Sequence, residues 1–329
     1  MELTAGEWLD VMRNEYLERF IPAGGAAVKF VVPSSPIGYT RVRDELRTAA
    51  ESNGLQFVWV DATQTKIHLI DRLFHDMARQ LDWDFLTSSF LSNSLSGSGW
   101  KLPDRQEDLK LPVLAELNDY DQPVLRTEIG RLVGNLILKD YAMCREFRLA
   151  MYWLCDAQLN ASDSLAMRDA IHGWLKGDLR RIATLKRALI FQRIARHNAR
   201  HMLFSLAHWL KLAGKSGLLL ALDVTRYGQD VRPAQRDGSN YYSTAAALDA
   251  YEVLRQLVDG TDEMESCFMA VVAGPEFLSD ERRGVRGYRA LYWRIADEVH
   301  DQQRDNPLAS LVRLHAIETE SGQENEVDD

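Results

Sequence analysis

Apolar positions along this chain fall into two rhythms, short unbroken runs and longer stretches with helical spacing. The runs are Ala27–Val32 (AVKFVV), Leu55–Val60 (LQFVWV), Leu218–Leu222 ahead of Asp223 (LLLALD), Cys267–Ala273 (CFMAVVA) and Leu311–Ile317 (LVRLHAI). Such runs, rich in β-branched and aromatic residues, predict strands buried on both faces. Helical spacing opens the chain. Trp8, Leu9, Met12, Tyr16, Leu17 and Phe20 predict a helix over Thr4–Phe20, with Thr4 and Glu7 placed as a capping box and Pro22 and Gly24-Gly25 as the stop. A second helical pattern covers 40–53 and ends at Gly54. Strand, loop, helix and strand within ~35 residues form a βαβ unit, which predicts an α/β protein with a parallel sheet.

From Thr65 to Ala213 no run reads as a strand. Helices are predicted over Thr65–Leu81, Glu107–Asp119, Pro123–Asn160 (with a break), Ser162–Leu175 and Asp178–Leu212, and the Ser/Gly-rich Ser88–Pro103 as a mobile loop. This is a large helical insertion between the second and third strands. Later, Asp237–Ser243 reads as a turn, Thr244–Asp259 and Glu281–Gln303 as helices, and the acidic tail as disordered. The expected organisation is 1–64 (opening helix and first βαβ), 65–213 (insertion), 214–317 (second half of the core) and 318–329 (tail).

Composition narrows the classes. With 329 residues and 46% apolar content the chain has ample core for one large domain or two. Cys144, Cys155 and Cys267 form no CxxC pair, so they read as reduced thiols of a cytoplasmic protein and not as a disulfide frame or zinc site. The N-terminus lacks a secretory pattern, and no apolar run approaches the ~20 residues of a membrane span, so a soluble protein with no membrane partner is expected. A net charge of −9 argues against indiscriminate nucleic-acid binding.

The candidate chemistry lies at the strand ends. Pro33-Ser34-Ser35-Pro36-Ile37-Gly38-Tyr39-Thr40 follows the first strand and leads into a helix. On the phosphate-loop template G-x-x-x-x-G-K-[ST], Gly38 and Thr40 match, whereas Pro33 replaces the first Gly and Tyr39 replaces the Lys. A phenol cannot supply the cationic charge that a Lys brings to the β- and γ-phosphates. The prolines remove amide donors from the anion cradle. An ordinary strand-turn-helix without a ligand accounts for the same residues. Leu218–Asp223 has the acid-ended pattern (Walker B) whose carboxylate holds Mg²⁺. The next position, where an ATPase of this kind places Glu to polarise water, is Val224, and the tip of the fourth strand is Gly274-Pro275.

The order of these elements resembles the BrxC/BrxD-type P-loop ATPases of BREX-like bacterial anti-phage systems. The resemblance is carried by GEWLDVMRNEYLERFIPAGGAAVKF, FVWVDATQTKIHLIDRL, Trp174-Leu175-Lys176-Gly177, Asn198-Ala199-Arg200 and Leu203–Trp209 into AGKSGLLLALD. It continues through AGPEFLSD and the helix with Tyr288, Leu291 and Arg294-Ile295, from about Gly6 to Ile317 in all. It implies a P-loop NTPase-like (AAA+-like) core in a multi-gene defence system. The chain ends within a few residues of the fifth strand, where such ATPases continue into a helical lid. With Tyr39, Val224 and Gly274-Pro275 altered together, the expectation is a degenerate nucleotide site at Pro33, Gly38, Tyr39, Thr40, Asp223 and Val224, in a non-catalytic subunit with other defence subunits as partners. Its cofactor is none, or weakly bound Mg-ATP. Two rival expectations stand beside it. One is an ATPase with an unorthodox site, using Asp223 and Thr40 for Mg²⁺ and arginines from a partner. The other is a DNA-binding module.

Three further groups bear on these rivals. The segment 176–215 is locally basic, and on one continuous helix Lys186, Arg193 and Arg200 share a stripe beside Arg196, which suits a phosphate backbone or an acidic partner. A solvated helix face paired with acids elsewhere accounts for it equally. Arg282, Arg283 and Arg286 follow the fourth strand, where an arginine acting in trans on a neighbour's nucleotide would stand. His197 and His201 have i,i+4 spacing, with His208 further on, but no HExxH or carboxylate pattern accompanies them and no metal is expected.

Overall fold

Five strands form one parallel sheet in the order β2-β3-β4-β1-β5: β1 Ala26–Pro33, β2 Leu55–Asp61, β3 Gly217–Asp223, β4 Cys267–Val272 and β5 Leu311–Leu314. The computed structural model describes residues 3–160, 164–229, 239–296 and 305–315. The start of the predicted 162–175 helix, part of the 237–243 turn, the 297–303 end of the last predicted helix, residues 316–317 and the acidic tail lie outside them.

The helices are α1 Ala5–Met12, α2 Pro36–Ser52, α3 Ile70–Arg79, α4 Trp83–Gly97, α5 Leu111–Asn118, α6 Gln122–Leu138, α7 Arg145–Leu159, α8 Leu165–Leu175, α9 Ala199–Leu212, α10 Thr225–Gly228, α11 Thr244–Asp259, α12 Glu276–Ser279 and α13 Arg289–Ile295. Alternation along the strands feeds two cores. Val31, Leu219, Ala221, Phe268, Ala270 and Val272 face a smaller core with Trp8, Leu9 and Met12 of α1 and Val42 and Leu46 of α2. Phe30, Val32, Val58, Leu220, Met269 and Val271 face a larger one that runs without interruption through the helices between β2 and β3 and on to α11 and α13. The unbroken apolar runs are thus explained by burial on both faces.

Several predicted boundaries change, each for a local reason. The predicted Ser88–Pro103 loop is largely helical. Asp82 caps α4 by accepting from Phe85 N, and Thr87 Oγ1 donates to Trp83 O at 2.7 Å. A hydroxyl satisfied one turn back can be buried within a helix, and Phe90, Leu91 and Leu95 supply its apolar face. The predicted Thr65–Leu81 helix starts at Ile70. Of Asp178–Leu212, α9 alone is α-helical, after a 3₁₀ turn over Ile182–Ala188 and a left-handed Leu189 at φ 59°. Asn198 interrupts the pattern, because its side chain accepts from Ala195 N at 2.8 Å and donates to Arg193 O at 3.1 Å. The opening helix is continuous, but it winds as a π-helix over Arg13–Phe20. Of the predicted Glu281–Gln303, the α-helical part among the described residues is α13.

Each sheet edge is met at one point. At β2 the Gln80 amide stands in for a neighbouring strand, accepting from Trp59 N at 3.2 Å and donating to Trp59 O at 2.8 Å. At β5, His315 N donates to Leu3 O at 2.9 Å and Thr4 bridges His315 in parallel.

Candidate functional site

Helix α2 follows β1 into the smaller core, whereas α11 and α13, which follow β3 and β4, pack into the larger one. The crossovers therefore change face between β1 and β4. In an open parallel sheet the crevice beyond the carboxyl ends of strands at such a switch is where ligands bind.

The turn from β1 into this crevice is short and closed. Ser34 and Ser35 alone separate β1 from α2. Ser34 N donates to Leu314 O at 2.9 Å, which commits one amide to β5. Ser35 is the N-cap, and its hydroxyl and carbonyl accept from Gly38 N at 3.3 and 3.0 Å. Pro36 occupies the first helical turn and has no N–H to offer. Gly38 sits where a Cβ would come within 3.1 Å of Pro33 Cβ, so glycine here serves the close approach of helix to strand. Thr40 is exposed on α2.

Tyr39 is half-buried. Its hydroxyl faces Gly274, where a Cβ would stand 3.6 Å from it and 2.5 Å from Glu276 Oε2. Burial, with Glu276 and Asp223 nearby, pushes its pKa up to about 12. Asp223 ends β3 in register with Asp61 of β2. Burial raises the Asp223 pKa, bonds from Thr225 oppose the rise, and the Asp61 charge adds to it. Asp61-Ala62-Thr63 and Asp223-Val224-Thr225 share the Asp-x-Thr pattern, and in each the Thr N–H returns to the Asp carboxylate. Thr63 N donates to Asp61 Oδ1 at 2.6 Å, and Thr225 N and Oγ1 donate to Asp223 Oδ1 at 3.0 and 2.7 Å. Val224 is a core residue, 2% exposed, and its N–H donates to Val272 O at 2.8 Å.

The charged groups that act on Tyr39 and Asp223 are thus acids: Glu276, Asp223 and Asp61. Beside them Tyr227 stacks on Tyr242 with ring centroids 4.1 Å apart, and His68 sits edge-on to both. Burial lowers the His68 pKa, and Nδ1 lies 3.0 Å from Tyr227 Oη. Asp61, Glu276 and this aromatic wall were not singled out from the sequence. The repeated D-x-T at two strand ends was a signal for Asp61. Nothing in the spacing pointed to Glu276, Tyr227 or Tyr242.

Two candidate groups take different roles. Arg283 is 3% exposed and is not a trans arginine. Its Nη1 donates to Gln229 O and Tyr242 O, both at 3.0 Å, and its carbonyl accepts from Tyr251 Oη. Arg282 and Arg286 are exposed. The basic stripe is not a stripe, because no single helix carries it. Lys186 lies on the 3₁₀ turn and Arg193 Nη2 donates to Arg180 O at 2.6 Å. Arg196 is exposed, and Arg200 on α9 lies over Phe204 and 4.0 Å from Glu263. His197 precedes α9, and His208 is held between Asp140 at 2.7 Å and Glu265 at 2.9 Å. Among the described residues no group of three His, Cys, Asp or Glu is placed to hold a metal, and no helix is long and apolar enough to cross a membrane.

A family model described as "BREX system ATP-binding protein BrxC/D" matches residues 113–324. That is nearly two thirds of the chain, from α5 past β5, and it leaves the Pro33–Thr40 turn outside. No curated protein and no solved structure matches the chain.

Proposed function

The chain belongs to the BrxC/D family of BREX system ATP-binding proteins, and on that footing we propose that it is a non-catalytic, P-loop-fold subunit of a bacterial anti-phage defence system. In this reading it serves in the cytoplasm as a scaffold or regulatory partner of other subunits. The observation that carries the proposal is the charge of the crevice at the strand ends. A nucleoside triphosphate needs cations and open amides there. In their place stand Tyr39, with Asp223 and Glu276 acting on it, and a two-residue turn whose Ser34 and Gly38 amides are already bonded. The strand order supports the P-loop-like reading, since it sets the β1 turn beside the ends of β4 and β5, with the acid-ended β3 one strand further.

The test is Mg-ATP titration by calorimetry together with a turnover assay on the purified chain. No heat and no phosphate release are expected. Measurable hydrolysis by the wild-type chain overturns the proposal.

One observation favours the rival ATPase reading, the side-by-side carboxylates of Asp61 and Asp223. These residues, with Thr40, would hold Mg²⁺, which when bound would neutralise phosphate charge. That reading requires Asp223→Ala to abolish activity. The DNA-module reading keeps exposed Lys186, Arg193 and Arg196 but loses the helix that aligned them.

A further inference from the structure

We propose that the pocket between α3 and the loop after α8 binds a phosphate-bearing nucleobase, edge inward, and prefers guanine among the common bases. The inference does not depend on whether the strand-end crevice binds ATP. The cavity holds about 200 Å³ and is lined by Asp71, Arg72, His75, Trp174, Arg193 and Ile194, among others. That lies below the roughly 300–1,000 Å³ of sites for drug-sized ligands and suits one flat heterocycle.

Its lining sets the acceptors of α3 beside two exposed cations, Arg72 and Arg193. Asp71 and His75 stand one turn apart on α3 and so share a face. His75 is buried, and its Nδ1 lies 2.8 Å from Leu175 O. A carbonyl can only accept, so Nδ1 carries the proton. Burial lowers the His75 pKa, and in the neutral ring, with the proton on Nδ1, Nε2 is an acceptor. Nε2 has no hydrogen-bond partner among the described residues. Neither does the Asp71 carboxylate, one oxygen of which is sealed from water. The sealed Asp71 oxygen carries the cost of an unmade bond, whereas His75 Nε2 is not sealed and is open to a donor from a ligand.

The backbone is fitted to this arrangement. Gly177 has φ +78°, and a Cβ on it would come within 2.7 Å of the His75 ring. Trp174 Nε1 donates to Gln192 O at 3.0 Å and ties the 191–194 segment to the pocket wall. Arg72 and Arg193 are exposed beside the cavity.

This charge order selects the ligand. These acceptors call for N–H donors, but a guanidinium or ammonium that offered them would be repelled by Arg72 and Arg193. A nucleotide meets both demands, a neutral donor edge inward and a phosphate outward against the arginines. Guanine presents adjacent N1–H and N2–H donors, adenine and cytosine one amino group beside an acceptor, and thymine one N–H between two carbonyls. Phe191, 58% exposed next to the pocket, offers a stacking surface for a neighbouring base. The base can come from a single strand or from a free mononucleotide, and the test separates them.

The experiment uses the full chain and a short labelled pyrimidine oligonucleotide carrying one central dG, followed by anisotropy at fixed salt. Competitors are the same strand with dT or deoxyinosine at that position, and free GMP and UMP. About tenfold tighter binding of the dG strand than the dT strand is expected, the size of one good bidentate contact, with inosine in between because it lacks the 2-amino group. Asp71→Asn should remove most of the dG preference, and Arg193→Gln should weaken both strands together. Competition by GMP as strong as by the strand identifies a free nucleotide as the ligand; competition by the strand alone identifies single-stranded nucleic acid. Equal affinity for dG, dT and inosine strands, or no binding of any probe, overturns the proposal. The base series is read on the wild-type chain, so it stands even where a variant fails to fold.

Discussion

The strand-end crevice and the α3–α8 pocket are opposites in how their polar groups are used. At the crevice the amides of the turn and one oxygen of each strand-end aspartate have partners: Ser34 N on Leu314 O, Gly38 N on Ser35, Asp61 and Asp223 on the threonines two residues on. At the pocket, His75 Nε2 and the Asp71 carboxylate have none among the described residues, and exposed arginines line the same cavity. The crevice has the position of a ligand site in an α/β sheet, yet it is acidic and its turn amides are taken. The pocket has no such positional claim, yet its acceptors are unmet. Topology says where a site belongs, and the hydrogen-bond ledger says whether the residues still serve one.

Four measurements would break or sharpen this contrast. The largest effect is expected for Arg283→Met, which leaves the carbonyls of Gln229 and Tyr242 without their buried donor. A loss of about 3 kcal/mol in urea unfolding is expected, and a loss below 1 kcal/mol would show that the crevice wall does not depend on this group. Gly177→Ala combines a left-handed backbone with a clash on the His75 ring. It should cost about 2 kcal/mol and abolish any base preference at the pocket while leaving the crevice unaffected.

Asp223→Asn should act in the opposite direction. The Asp223 pKa is raised in the folded chain, so its ionised form weakens the fold at neutral pH, whereas Asn keeps an acceptor for Thr225. The variant should be more stable at pH 7, read as a higher urea midpoint. That gain should shrink as pH falls through the raised pKa and vanish below the ordinary carboxylate value. A destabilised variant at pH 7 would show that the charge is used. The smallest effect is expected for Tyr39→Lys. One cation among three acids, beside committed amides, should leave ATP hydrolysis undetectable, and a gain of turnover would mean that a single residue separates this crevice from an active one.

The sheet was legible in the sequence because burial on both faces leaves an unmistakable apolar run, and the five runs mark five strands. The residues of the crevice were legible through template positions, but not its charge. Glu276 acts on Tyr39 from the start of α12, which has no motif of its own, and Arg283 reads as a surface arginine until its carbonyl partners are seen. The pocket was invisible. It depends on Asn198 breaking a helical pattern and on Gly177 turning left-handed, single residues that redirect the chain against the surrounding periodicity. Ser88–Pro103 failed for the converse reason, since tertiary burial overrode a loop-like composition.

The Gln80 amide on Trp59 and the Leu3–Thr4 segment beside His315 have a consequence for assembly. A sheet with open edges can recruit a partner by adding a strand. Here one edge is met by a side-chain amide and the other by the chain's own beginning, so docking by strand addition would first have to displace native hydrogen bonds. A neighbour that joins this chain through helices and loops leaves those bonds intact, and the geometry of such a contact is set by side chains.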